Sequence, residues 1–265
     1  MPMTARLLRR AGVLTLVAAT AATALTGCNR AVGARLTYDD TEKVKVTEIV
    51  VAGASGDVTV RASAIGETRI RRIVRSDGSD PDVSYRLTGT SLSVDTECGS
   101  DCRASYEIEA PTGVTVRGGV HSGSLTLVGV AGADVTVTSG DIDLQGVTGT
   151  TKARATSGSI TANALTGPAT FEVTSGDVEA TDLTGGAAIR ADVSSGSVAL
   201  RLAQPAPVTA RASSGDINLE VPSGSYRIQQ QTGSGDFDTE VTSTPGGKNL
   251  LDLQASSGDI DVRWS

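Results

Sequence analysis

The sequence is poor in the residues that most catalytic sites use. Its 265 residues include one histidine, His121, together with two phenylalanines, four tyrosines and one tryptophan. A serine or cysteine nucleophile needs a nearby base, and no motif in the chain pairs either residue with one. The shortage of aromatic residues also argues against sugar subsites that stack rings on the ligand. We therefore expect no catalytic residues, no enzymatic activity and no cofactor.

Acidic residues occur in pairs, which is relevant to glycan chemistry. Asp141 with Asp143, and Asp259 with Asp261, lie two residues apart and so share one face of a strand. A glycosidase places its two carboxyl groups on opposite sides of the sugar. We interpret these pairs as ordinary solvated side chains.

The N-terminus has the order of a secretory signal peptide. Arg6, Arg9 and Arg10 precede the apolar run AGVLTLVAATAATAL, which is too short to span a bilayer comfortably and leads to the tetrapeptide LTGC. This tetrapeptide resembles a bacterial lipobox, in which the cysteine is acylated and becomes the first residue. We predict a lipoprotein signal peptide over residues 1–27 and membrane attachment through acyl chains on Cys28. The alternative is an ordinary signal peptide followed by a chance cysteine.

The mature chain has few basic residues relative to its acidic ones. Residues 1–27 contain three of the 23 lysines and arginines and none of the 30 acidic residues, so cleavage leaves a net charge of −10. Nucleic-acid binding needs a basic surface that displaces counterions, and this balance argues against such a partner. It also argues against simple electrostatic adhesion to anionic lipid.

Two cysteines remain in the mature chain, Cys98 and Cys102 in ECGSDC. Outside the cytoplasm a close pair favours a disulfide. A zinc site would need two further ligands, and a redox pair usually has a two-residue spacer, whereas this spacer has three residues. We predict a structural disulfide.

One tripeptide, Ser-Gly followed by Asp or Ser, recurs in nine copies that share one pattern. From the second copy onward the spacings are 17, 18, 18, 20, 19, 20 and 23 residues. We predict that the nine glycines are structural corners: Gly56, Gly123, Gly140, Gly158, Gly176, Gly196, Gly215, Gly235 and Gly258.

The residues around each glycine alternate in polarity. At positions −5, −3, +2 and +4 from the glycine, 31 of 36 residues are apolar, against three of 36 at −4, −2, +1 and +3. This period of two predicts strands with one buried face. The inward phase changes at Ser-Gly, so the chain must bend there, which glycine tolerates. A further apolar position predicts a second corner, at Val130, Val147, Leu165 and Leu183.

Short repeats of this kind favour a stacked β architecture. We predict an all-β fold, a β-solenoid of about eight short coils over residues 111–265, spanning roughly 38 Å at about 4.8 Å per coil. Residues 41–110 are predicted as an irregular N-terminal β cap, continuous with the coils as one domain over 41–265, and residues 28–40 as a tether. Trp264 falls on the inward phase and is expected to plug the last coil. The alternative architecture is an antiparallel sandwich with glycine turns.

The Ser-Gly-Asp repeat also raises the question of calcium. Calcium-binding β-rolls use Gly-Gly-x-Gly-x-Asp at both corners. Here the glycine doublet is missing, and serine replaces aspartate in three copies. We predict no systematic metal site. If a cation binds anywhere, it is expected at Asp216, Asp236 and Asp259, where aspartate occupies successive corners.

These features together resemble a known family. The lipobox, the Cys-pair region followed by YEIEAPTGVTV, and the Ser-Gly-Asp-Ile/Val repeats are similar to the bacterial putative-adhesin family of β-strand-repeat lipoproteins, a domain-of-unknown-function family. The resemblance covers about residues 45–264. It implies a β-solenoid at the cell surface and supplies no catalytic residues.

We expect a lipid-anchored, extracytoplasmic adhesin or binding scaffold. Its strands would present polar side chains, such as Thr136, Arg154, Glu172 and Arg211, to a cell-wall glycan or an envelope protein. The alternative is an envelope-stress sensor or regulatory lipoprotein that acts through a protein partner in the membrane. A third class, an enzyme acting on surface polysaccharide, would have to degrade glycan.

Substitution of the predicted lipidation site tests the membrane anchor. We expect Cys28→Ala to release the protein from membranes, because each buried acyl methylene contributes about 0.8 kcal/mol to anchoring. The measurement is immunoblotting of membrane and soluble cell fractions. A variant that stays fully membrane-bound would show that the lipoprotein prediction is wrong.

Overall fold

The alternating segments form two β-sheets whose apolar faces enclose one core. The computed structural model describes residues 34–76, 81, 84–99 and 102–265. These residues contain 23 strands and no helix long and apolar enough to cross a membrane. The predicted signal peptide and Cys28 lie outside the described residues.

The strands are numbered in chain order. The first twelve are β1 Ala34–Glu42, β2 Glu48–Ala52, β3 Val58–Ser63, β4 Thr68–Ser76, β5 Tyr85–Thr88, β6 Ser91–Asp95, β7 Cys102–Pro111, β8 Thr115–Ser122, β9 Leu125–Val128, β10 Gly132–Ser139, β11 Ile142–Gln145 and β12 Thr151–Ser157. The others are β13 Ile160–Asn163, β14 Ala169–Ser175, β15 Val178–Leu183, β16 Ile189–Ser195, β17 Val198–Leu202, β18 Val208–Ser214, β19 Ile217–Val221, β20 Tyr226–Ser234, β21 Phe237–Thr239, β22 Asn249–Ser257 and β23 Ile260–Trp264.

Each coil contributes one strand to each sheet. The twelve-stranded sheet has the order β1-β4-β7-β3-β9-β11-β13-β15-β17-β19-β23-β21, and the eleven-stranded sheet has the order β20-β22-β18-β16-β14-β12-β10-β8-β2-β6-β5. Successive coils pair in parallel and in register, so Ile142 lies beside Ile160 and Ile160 beside Val178. These three side chains are fully buried. This arrangement confirms the predicted all-β solenoid and differs from an antiparallel sandwich.

The Ser-Gly corners bring the backbones of neighbouring coils into direct contact. All nine corner glycines have φ between +130° and +148°, a region that disfavours residues with a side chain. At Gly158 a Cβ atom would lie 2.0 Å from the carbonyl oxygen of Gly140 in the neighbouring coil. Glycine is therefore required at this corner both by backbone angle and by space.

The second corner of each coil is less restrictive. It begins with a residue in the left-handed region, which is Gly129, Gly146, Ala164 or Asp182 in four successive coils, with φ between +52° and +68°. The next residue in each case is the apolar one that the sequence predicted to point inward. All four of these side chains are buried: Val130, Val147, Leu165 and Leu183.

The last two repeats stack in the reverse of their order along the chain. The coil of β22 and β23, which contains Gly258, packs directly on β18 and β19, and the earlier coil of β20 and β21 is outermost. The outermost coil has Gln230, Thr232 and Thr239 at positions where other coils have apolar residues. Burial of unpaired polar groups between two coils costs free energy, so this coil takes the end, where water reaches them.

The expected position of Trp264 is therefore wrong. Its coil is not the last in the stack, and β21 ends at Thr239, opposite Val262, before it could cover the indole. Trp264 is 41% exposed. Its ring centroid lies 6.1 Å from that of Tyr226.

The N-terminal region continues the stack and then closes it. The coil of β2 and β3, with Gly56, pairs in register with the next coil, Val58 beside Leu125. The coil of β6 and β7 lies beyond it, and β1, β4 and β5 add antiparallel strands at this end. The predicted tether over 28–40 needs correction, because strand β1 begins at Ala34 and pairs with β4.

A buried polar network fills this N-terminal end. Arg72 is 7% exposed, and its guanidinium lies 4.5 Å from the centroid of the Tyr38 ring. Arg72 Nη1 donates to Ser84 Oγ at 3.2 Å, and the Tyr106 hydroxyl donates to the Ser84 carbonyl at 2.6 Å. Nearby, burial and the carboxylates of Asp40 and Glu42 raise the pKa of Tyr85 to about 12. At this end, polar groups are thus buried beside core residues such as Ile70 and Val74.

The positive φ at both corner types predicts that alanine is unfavourable there and that glycine is favourable. Gly158→Ala should destabilise the protein by about 3 kcal/mol or more, because it adds strain and a backbone clash. Ala164→Gly should stabilise it by about 0.5 kcal/mol, because relief from the left-handed region outweighs the added chain entropy. Melting temperatures measure both changes. Gly66→Ala is the control, because nothing lies within 4 Å of the added Cβ. A fall in melting temperature for Ala164→Gly would contradict this account.

Candidate binding face

The outer face of the eleven-stranded sheet carries the polar side chains that the sequence indicated. Thr136, Arg154, Glu172 and Arg211 all line one shallow groove of about 500 Å³ that extends over five coils. They come together because residues four positions before each corner glycine point outward and stack in register. The four residues that the sequence predicted to present polar side chains therefore lie on one surface.

At one end of the groove, charges from neighbouring coils compensate each other. Arg154 Nε lies 2.9 Å from Glu172 Oε2, and Arg154 Nη1 lies 3.4 Å from Asp134 Oδ1. The two acids belong to the coils on either side of Arg154. One arginine therefore links three coils.

A second arginine, Arg211, likewise pairs with acidic residues of the two neighbouring coils. Arg211 Nη1 lies 3.7 Å from Asp192 Oδ1, and Arg211 Nη2 lies 3.1 Å from Asp252 Oδ2. Arg211 Nε also donates to Gln254 Oε1 at 3.3 Å. Arg190 Nε lies 2.6 Å from the other oxygen of Asp192. The groove is therefore close to neutral, although the chain as a whole carries a net charge of −7.

A row of hydroxyl groups runs beside these ion pairs. It consists of Thr156, Thr174, Ser194 and Ser213, which are exposed and line the same groove. Successive members are one coil apart, about 4.8 Å. Within the described part of the chain their hydroxyls have no hydrogen-bond partner, so each can donate to and accept from a ligand. We call these four residues the hydroxyl row.

Towards the N-terminal end of this sheet, Glu48 on β2 forms a separate ion pair with Arg117 on the neighbouring strand β8. Arg117 Nε lies 2.6 Å from Glu48 Oε1, and the Ser91 hydroxyl donates to Glu48 Oε2 at 2.9 Å. These hydrogen bonds, chiefly that of Arg117, lower the pKa of the Glu48 carboxyl. The pair lies outside the groove.

The acidic residues of the Ser-Gly-Asp corners have a structural task that sequence analysis missed. The carboxylate of Asp141 accepts the backbone N–H of Ser159, at the same position of the next coil, at 2.9 Å. Asp177 accepts from Ser197 at 2.7 Å. At two of the three serine positions the hydroxyl accepts instead, Ser159 from the N–H of Asp177 and Ser197 from the N–H of Asp216, each at 3.3 Å. Aspartate and serine are both suitable because either side chain accepts this N–H.

The three aspartates considered for a cation belong to the same ladder. In space the order is Asp216, Asp259, Asp236, since the last two coils are exchanged. Asp216 accepts the N–H of Asp259 at 2.9 Å, and Asp259 accepts the N–H of Asp236 at 2.8 Å. Among the described residues, no group of three His, Cys, Asp or Glu side chains is arranged to hold a metal ion.

The cysteine pair also occupies a corner. Cys98 and Cys102 form a disulfide, as predicted, with the Cα atoms 5.2 Å apart. The bridge lies between β6 and β7, where other coils have Ser-Gly, and both residues are buried. His121 is exposed on β8, and its ring makes no hydrogen bond to any described residue.

The corner ladder predicts different effects for two neighbouring aspartates. Asp141→Ala should lower stability by about 1–2 kcal/mol, because it leaves the N–H of Ser159 without its acceptor. Asp143→Ala should change it little, because the Asp143 side chain contacts solvent. Thermal unfolding of both variants measures the difference. Equal losses would contradict the structural role of Asp141.

Comparisons with known proteins find one matching family profile and solved structures that are similar to this chain. The profile of the Toastrack DUF4097 family matches residues 34–205 and again residues 166–263. No curated protein matches the chain. A putative cell adhesion protein from Clostridium sporogenes is similar over 87% of this chain and 100% of its own, with 11% identity and a TM-score of 0.25. A putative adhesin from Bacteroides fragilis is similar over 88% of this chain and 97% of its own, with 12% identity and a TM-score of 0.41.

Proposed function

The chain belongs to the Toastrack DUF4097 family, and from its surface we propose that it is a lipid-anchored, extracytoplasmic adhesin or binding scaffold without catalytic activity. Its ligand is a polymer of the cell envelope, with cell-wall glycan as the first candidate. The observation that carries this proposal is the hydroxyl row, repeated at the coil spacing beside compensated ion pairs.

The spacing of the hydroxyl row favours a repeating ligand. Thr156, Thr174, Ser194 and Ser213 present the same chemical group in four successive coils. A polymer with polar groups at a similar repeat could contact several of them at once. Each contact is weak, and their combination on one rigid surface gives useful affinity.

The charge and composition of the groove favour hydrogen bonding over other modes of binding. Arg154 and Arg211 are paired with acids, so a strongly charged ligand would have to displace an existing ion pair. In the part of the chain that the structure describes, no aromatic side chain lines the groove. A polyhydroxylated ligand, such as a glycan, matches hydroxyl groups that both donate and accept.

The short connection to the predicted anchor favours a ligand close to the membrane. Strand β1 begins at Ala34, so residues 28–33 are all that separates it from the predicted acylated Cys28. Six residues span at most about 20 Å when extended. The envelope next to the membrane is therefore the region that the binding face would reach.

Co-sedimentation with insoluble cell-wall glycan tests this proposal. The protein is residues 29–265, which lack the signal peptide. We expect Thr156→Val with Thr174→Val to weaken binding about tenfold, because two ligand hydrogen bonds are lost. The shape of both side chains is kept, so the fold should not change.

The matched control is Thr126→Val with Thr161→Val on the outer face of the other sheet. Binding that falls equally in both variants, or that is absent in the unaltered protein, would contradict the proposed face. Degradation of the glycan by the purified protein would contradict the absence of catalysis.

A further inference from the structure

The outermost coil presents backbone groups that every inner coil satisfies with its neighbour. In inner coils, the corner glycine and the residue two positions later donate their N–H groups to the following coil, as Gly215 does to Ser257 at 2.8 Å and Ile217 to Asp259 at 2.9 Å. The corresponding N–H groups of the outermost coil are those of Gly235 and Phe237. Among the described residues, no coil follows them.

The side chain of the same corner is also without its usual partner. Inner aspartates at this position accept an N–H from the following coil, as Asp259 does from Asp236 at 2.8 Å. The carboxylate of Asp236 is the last in this ladder, and among the described residues nothing donates to it. The corner therefore leaves the N–H of Gly235, the carboxylate of Asp236 and the N–H of Phe237 without partners among the described residues. These are the groups that pair with the following coil at the inner corners, so a further strand could pair with them in the same way.

The adjoining part of β20 has the same open side. The chain itself covers the start of this strand, because Ser243 Oγ accepts the N–H of Ile228 at 3.0 Å and Thr244 donates to the carbonyl of Tyr226 at 2.8 Å. By strand alternation, Gln230 and Thr232 direct their backbone groups to the same side as Ile228. The open edge therefore runs from Gln230 round the corner to β21.

The opposite end of the solenoid does not offer such an edge. There the outermost strands are β1 and β5. Strand β1 carries charged residues along its length, and β5 has only four residues. Charged and short edge strands are features that prevent further pairing.

The negative charge of the open end indicates which kind of polypeptide could pair with this edge. Asp236, Asp238 and Glu240 alternate along this coil, are exposed, and form no ion pair with any described residue. In the neighbouring coil, Arg263 is paired with Asp261. A second copy of this chain would bring two sets of these carboxylates together, whereas Lys or Arg side chains on an added strand would lie opposite them.

We propose that this end of the solenoid binds an extended, basic segment of a partner polypeptide, which adds to Gln230–Thr239 as a further strand. Backbone hydrogen bonds to the open edge hold the segment, and its basic side chains pair with Asp236, Asp238 and Glu240. The ring of Phe237, half-buried in the free chain, is covered by the added strand. This site is distinct from the groove that carries the proposed adhesin function.

Fluorescence anisotropy with a labelled Thr-Lys-Thr-Lys-Thr-Lys peptide tests the proposal, and the corresponding Thr-Glu peptide is the probe control. We expect the lysine peptide to bind residues 29–265 at least about tenfold more tightly than the glutamate peptide, and more weakly as salt rises. Equal binding of the two peptides, or no binding of the lysine peptide up to about 1 mM, would overturn the proposal.

Two variants test separately what the backbone edge and the carboxylate charges contribute to peptide binding. Thr232→Pro removes an N–H that faces the open side, and Asp236→Asn with Asp238→Asn and Glu240→Gln removes the charges. Each should weaken the lysine peptide about tenfold or more with an unchanged circular dichroism spectrum. Asp143→Asn is the matched control, because it occupies the Asp238 position in a coil covered on both sides, and should bind normally.

Sedimentation of the unaltered protein without peptide tests whether a second copy of this chain, rather than a separate partner, binds the open edge. A monomer at all concentrations supports a separate partner, and a dimer that Thr232→Pro abolishes would overturn the proposal in favour of a second copy. Thr156→Val with Thr174→Val should leave peptide binding intact. Peptide binding and glycan binding can therefore fail independently.

Discussion

The whole solenoid depends on a close contact between backbones at the Ser-Gly corner. The carbonyl oxygen of one corner glycine lies where a side chain of the next would be, as between Gly140 and Gly158, at 2.0 Å from an added Cβ. This contact holds neighbouring coils in register, since a shift along either strand would bring a side chain into the same space. In-register stacking in turn places identical positions of successive coils side by side. The core, the corner ladder and the outer rows of side chains all follow from that repetition.

The corner ladder explains why the repeat is rich in aspartate without a metal. The bend leaves one backbone N–H per coil without a backbone acceptor, and the side chain after the preceding glycine accepts it. Asp141 and Ser159 perform the same task at 2.9 and 3.3 Å, respectively. An acidic row that suggests a cation site in the sequence is thus a row of hydrogen-bond acceptors. Its last member, Asp236, differs because none of the coils that the structure describes follows it.

The two ends and the middle of the solenoid offer different surfaces. The middle coils repeat one chemical pattern, and the groove with the hydroxyl row suits a repeating ligand. The N-terminal end is closed by antiparallel strands and by polar contacts around Arg72, which is 7% exposed. The C-terminal end retains open backbone groups and unpaired carboxylates, which suit a basic polypeptide. Binding of a protein at that end would also be compatible with a sensor or regulator that acts through a partner.

Within the repeats, the sequence alone determined the strands, the corners and the side of most strands that faces the core, whereas β1 is a strand where a tether was expected. These features depend on local alternation and on glycine, and both can be read along the chain, as at Val137, Gly140 and Ile142. The hydrogen-bonding role of Asp141 could not be read, because its partner Ser159 belongs to another coil. The exchange of the last two coils was also decided only in the tertiary structure. Gln230 and Thr232 are polar where other coils have apolar residues. Their need for water determines the position of their coil only because the residues at the same positions of the competing coil, Leu253 and Ala255, can be buried instead.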